Sequence, residues 1–99
     1  MNERGYKLAE LTNLESKLGE VIGLAQAGQA ATKKVKTLAR KEKQKDLVET
    51  LDKMAQEAAE TAKRGTEVAG RFEGKKSAIQ KKARETKEKA SEMMDTYLD

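Results

Sequence analysis

The chain contains no cysteine, no histidine, no tryptophan and no proline. Without cysteine there is no disulfide and no thiolate metal site, and a reducing compartment is the expectation. Without histidine the commonest general base and the commonest metal ligand are gone. Without proline nothing interrupts a long helix from within. Aromatic residues are limited to Tyr6, Phe72 and Tyr97. No apolar run approaches the roughly 20 residues needed to span a bilayer. The first ten residues carry Glu3, Arg4, Lys7 and Glu10 around Tyr6 and Leu8, with no apolar signal-peptide core. The expectation is a cytoplasmic protein that does not enter the membrane.

What the chain does have is a heptad repeat. Leu11, Leu14, Leu18, Val21, Ala25, Gly28, Thr32, Val35 and Ala39 are spaced alternately three and four apart. Val48, Leu51, Ala55, Ala58, Ala62, Gly65, Ala69 and Phe72 repeat the pattern in a new phase. A spacing of 3.5 residues is the seam of helices that pack along their length. The fold expected is all-α: an antiparallel helical hairpin plus a third helix in one domain spanning residues 1–99. The helices are expected at about 8–42, 47–72 and 78–97.

Local signals set these limits. Thr12 and Glu15 form a capping box, hydroxyl at the cap and carboxylate three residues on. Continuing the first seam past Ala39 would bury Glu42 and Asp46, which is costly for unpartnered carboxylates. Asp46, followed by Glu49, is the expected N-cap of the second helix. Gly70 and Gly74 bracket its expected end, and Ser77 with Gln80 forms a further capping box. The third seam is Ile79, Ala83, Thr86, Ala90, Met93 and Tyr97. The alternative is one continuous rod from Asp46 onward, because the phase of the second helix persists through Lys76.

The seams are thin. Gly19, Gly23, Ala27 and Ala31 stand four apart on one stripe, and the second helix presents mostly alanine. Small residues let helix axes approach closely but bury little area at about 25 cal/mol per Å2. Leu8, Ile22, Leu24, Leu38, Val68 and Met94 lie off the strict seams and widen the apolar face beyond that of a two-stranded coil. A monomer with so small a core is marginal. Self-association, most simply as a symmetric homodimer, is expected. The nominated association face is Leu11, Leu14, Leu18, Val21, Leu51, Ala55, Ala58 and Phe72.

Charge is arranged in blocks. Residues 33–45 are strongly basic, residues 46–60 acidic and residues 75–89 basic again. The acidic block can lie against its basic predecessor in a hairpin. Lys33, Lys34, Lys36, Arg40, Lys41 and Lys43 are the candidates for polyanion binding, since phosphate contacts need only such charges. Specific nucleic-acid recognition is disfavoured: lysine outnumbers arginine, and stacking aromatics are scarce. Among carboxylates, Glu20, Glu57 and Glu60 are the weak metal candidates, but heptad position turns them away from the seams. Ser16, Ser77 and Ser91 have no base placed beside them. No cofactor is implied and no enzymatic activity is expected.

Leu18-Gly-Glu-Val-Ile-Gly-Leu-Ala25 resembles the first helix of a ferritin-like half bundle. The segment from Asp46 to Glu60 is similar to the second, which in that family ends in Glu-x-x-His; here Glu60 stands three residues after Glu57 where the family has histidine. Over residues 8–72 the resemblance implies a two-helix half that dimerises into a four-helix bundle, with the third helix as an added arm. Without the histidine, the family's metal chemistry does not carry over. The function expected is that of a non-enzymatic, self-associating module for protein interaction or scaffolding. The alternatives are a basic polyanion or nucleic-acid binder and a degenerate ferritin-like metal-binding protein.

Overall fold

A computed structural model describes residues 11–98. Its elements are three helices: α1 (Asn13–Lys41), α2 (Lys45–Ala69) and α3 (Lys76–Leu98). There is no strand among the described residues. The start of α1 is fixed by the capping box. The Thr12 amide donates to Glu15 Oε1 at 2.8 Å, and the Glu15 amide donates back to Thr12 Oγ1 at 3.1 Å. The expected start of this helix at about residue 8 lies outside the described residues. Arg40 and Lys41 occupy the last turn of α1, where cations favour the negative end of the helix dipole.

The chain then reverses within three residues. Lys43 adopts φ 58°, a left-handed conformation, and the Gln44 amide donates to the Ala39 carbonyl at 2.9 Å. This tight closure starts α2 earlier than expected. Gln44 is the N-cap and makes no side-chain capping bond, while Asp46 sits inside the first turn. Asp46 therefore acts on the helix dipole and not as the cap. At the far end Gly70 caps α2, and the second reversal runs through Gly74 at φ 76°. There is no continuous rod: α3 begins at Lys76, ahead of the expected Ser77 cap, and returns along α1.

α1 is the central element. α2 lies antiparallel along one flank and α3 parallel along another, and α2 and α3 make little contact with each other. The extents of 61 × 26 × 16 Å describe a slab. The two outer helices lie on either side of α1 with little contact between them, so the three described helices are laid side by side. The best-buried cluster lies near the α2–α3 connection, where Ile22, Ala69, Ile79 and Ala83 meet against Leu11, Leu18 and Phe72.

The seam of α2 faces inward as its heptads require, with Leu51, Ala55, Ala62 and Ala69 buried. In α1 the expected seam faces inward only in part, at Leu18 and Ala39, and the other buried positions lie beside it. Gly19, Ile22, Gly23, Ala27 and Ala39 are buried, whereas Leu14 and Val21 are 66% and 49% exposed. The cause is the small-residue stripe. A Cβ added at Gly19 would stand 2.8 Å from Lys82 Cβ and 2.9 Å from the Ile79 carbonyl oxygen. A Cβ at Gly23 would strike the Ala83 carbonyl oxygen and sit 2.7 Å from Thr86 Cβ. The backbone of α3 thus seats directly on these glycines and rotates the larger residues of α1 outward. In α3, Ile79 and Ala83 are buried as expected, but Met93 is exposed and Met94 turns partly inward in its place.

Candidate association surface

Val21, Leu24, Gly28, Ala31, Val35 and Leu38 are spaced three, four, three, four and three apart along α1. That spacing is a second apolar stripe on a helix whose other sides hold α2 and α3. Val21, Leu24 and Leu38 are each about half exposed. No charged residue belongs to the stripe between its two ends. Beside its C-terminal half is an open groove of about 270 Å3, lined by Ala31, Thr32 and Val35 of α1, Leu51 and Met54 of α2, and Met94 and Tyr97 of α3. All three helices therefore contribute to one uncovered apolar surface.

Gly28 is at the middle of the stripe. A Cβ added there meets nothing within 4 Å, unlike Gly19, Gly23 and Gly65, where it would stand against a neighbouring helix. Glycine inside a helix is about 1 kcal/mol less favourable than alanine. At the other three positions intramolecular packing accounts for that cost. At Gly28 nothing among the described residues does.

The nominated association face divides in two. Leu11, Leu18 and Phe72 pack on the core cluster, and Leu51 and Ala55 are buried. Ala58 is half-buried. These residues are spent inside the chain. Only Leu14 and Val21 remain outside. Leu24, Leu38, Met54, Met94 and Tyr97 complete the outward surface. The signal that locates it is the small-residue stripe, because whichever helix seats on Gly19 and Gly23 leaves Leu24 and Leu38 uncovered.

The charged blocks are stitched to one another. Lys36 of α1 pairs with Asp52 of α2, and Lys34 reaches Asp95 of α3 at 3.0 Å. Lys82 and Lys75 approach Glu20 and Glu15 at 3.8 and 3.7 Å. The hydrogen bond and charge of Lys36 hold the Asp52 carboxyl below its ordinary value, with Arg40 adding to the effect. The Glu15 carboxyl is likewise lowered, first by the Thr12 backbone amide and then by Lys75. Of the six nominated polyanion-binding cations, Lys34 and Lys36 are thus turned onto carboxylates of the same chain. Lys33, Arg40, Lys41 and Lys43 are exposed around the end of α1.

The carboxylate candidates do not converge. Glu20 lies between Lys17 and Lys82, partly buried on the α3 side and not facing away from the packing as its heptad position suggested. Glu60 pairs with Arg64 along α2 at 3.8 Å, and Glu57 is exposed. Among the described residues no three histidine, cysteine, aspartate or glutamate side chains stand where they could hold a metal ion. No family model, curated protein or solved structure matches the chain. No helix among the described residues is long and apolar enough to cross a membrane.

Proposed function

We propose that the chain is a non-enzymatic helical module that self-associates, most simply as a homodimer, and serves in protein interaction or scaffolding. The observation that carries this reading is the exposed stripe from Val21 to Leu38 on a helix flanked by two others that scarcely touch each other. Stable domains place two packed layers around a shared core, and this chain supplies one layer. Its intramolecular seams are filled largely by alanine and glycine, while valines and leucines stand outside. Contiguous exposed apolar surface of this kind marks association sites. The half-bundle resemblance fits the same reading: two copies of the α1–α2 hairpin would complete a four-helix bundle, with α3 as a flanking arm. The polyanion reading is the weaker one, because part of the basic block already neutralises Asp52 and Asp95.

Solution mass tests this. Light scattering on the purified chain across the micromolar range should give a mass twice that of the chain. A monomer mass up to the highest concentration would overturn the reading.

A further inference from the structure

We propose that the stripe on α1 is the interface itself, and that it meets the same stripe of a second copy in an antiparallel arrangement about a two-fold axis between Gly28 and Ala31. This rests on the self-association reading and specifies its geometry. Two features of the surface select the occupant.

The first is the order of side-chain sizes. Along α1 the stripe reads Val21, Leu24, then Gly28, Ala31, then Val35, Leu38: large, large, small, small, large, large. It reads the same from either end. A two-fold interface is isologous, so that if residue i meets residue j then j meets i. With the axis midway between Gly28 and Ala31, Val21 faces Leu38 of the second copy, Leu24 faces its Val35, and Gly28 faces its Ala31. The large residues meet at both ends and the small ones at the centre, where two helices must come closest to cross. This supplies the neighbour that Gly28 lacks among the described residues of its own chain. A parallel pair, with its two-fold axis running along the helices, would instead place Gly28 on Gly28 and Val21 on Val21, and cross-linking separates the two orders.

The second is area. The stretch from Val21 to Leu38 is about 27 Å long. Over the 26 Å width of the slab that is a footprint of about 700 Å2, close to the roughly 800 Å2 per partner of a stable interface. The groove walls formed by Met54, Met94 and Tyr97 lie within this width. The absence of charge along the stripe means that bringing two copies together strands no ion there.

Two variants test the geometry. Gly28→Gln introduces a long side chain where the chain's own fold leaves open space. The variant should keep full helicity by circular dichroism, since glutamine is a better helix former than glycine, yet weaken the dimer at least tenfold by light scattering or sedimentation. The second is Val21→Cys with Leu38→Cys, made in a chain that otherwise has no cysteine. The two sites are about 25 Å apart on one helix, far beyond disulfide reach. Oxidation should therefore yield a disulfide-linked dimer, while the single Val21→Cys variant should not cross-link. A wild-type dimer that Gly28→Gln leaves intact, with no cross-link from the double variant, would overturn this interface and leave self-association standing. Cross-linking of Val21→Cys alone would overturn the antiparallel order. A wild-type monomer would overturn both and leave the face to a different chain.

Discussion

Glu15 is buried at the start of α1 and holds two jobs. Its carboxylate closes the capping box on the Thr12 amide and receives Lys75 from the segment leading into α3. Both interactions favour the charged form, so the folded carboxyl lies below its ordinary value of 4.5. The unfolded chain then takes up the proton at higher pH than the folded one. The stability that this group contributes is complete above that ordinary value and is lost as pH falls through the lower folded value. Asp52, held by Lys36, behaves in the same direction. Glutamine can also complete a capping box but does not titrate. Glu15→Gln should therefore show a shallower loss of helicity on acid titration than the wild type, followed by circular dichroism at 222 nm. Superimposable acid limbs would remove Glu15 as a source of the pH dependence.

Among the elements, α1 is decisive because it must satisfy two neighbours at once. Gly19 and Gly23 admit α3, and Ile22 between them reaches Gly65 of α2, where an added Cβ would lie 2.6 Å from Ile22 Cγ1. Gly23→Ala would push a methyl group into the Ala83 carbonyl and to 3.0 Å from the Lys87 nitrogen. Both are backbone atoms that cannot rotate aside. The variant should be destabilised by about 1–3 kcal/mol in urea unfolding, despite alanine being the better helix former. An unchanged midpoint would show that α3 can shift freely on α1. The heptads of α2 made its inward side legible in the sequence, because α2 has one main neighbour and one seam. The Thr12–Glu15 cap was legible for the same local reason. The seam of α1 is legible only in part: Leu11, Leu18 and Ala39 pack inward while Leu14 and Val21 stand outside, because a regular 3.5 repeat fits either of two adjoining stripes. Packing favoured the small-residue stripe, which bears little hydrophobic weight but allows backbone approach. α2 starts at Lys45, two residues ahead of the expected position, because the left-handed Lys43 closes the turn without any side-chain signal.

At the scale of the molecule, a single layer of helices with a core of Ile22, Ala69, Ile79 and Ala83 has little stability of its own. Association that engages only the folded state adds stability by mass action. The melting temperature should therefore rise by several degrees over a hundredfold increase in chain concentration, as read by differential scanning fluorimetry or circular dichroism. A melt independent of concentration would mean that the single layer is sufficient. The parallel course of α1 and α3 has a consequence for how the chain reaches this state. In the α1–α2 hairpin the ion pair nearest the turn, Lys36 with Asp52, closes only 16 residues. Contacts farther from the turn enclose progressively more chain, so the hairpin can zip outward one helical turn at a time. Parallel neighbours offer no such gradient. Lys34 and Asp95 are 61 residues apart, and the pairs Glu15–Lys75 and Glu20–Lys82 enclose almost the same length. Every contact of α3 with α1 thus carries the same loop-closure entropy, and the first one formed meets nearly all of it. No contact between α1 and α3 is favoured over another by loop length, so Gly19 and Gly23 matter through the close seating they allow and not through their place in the chain.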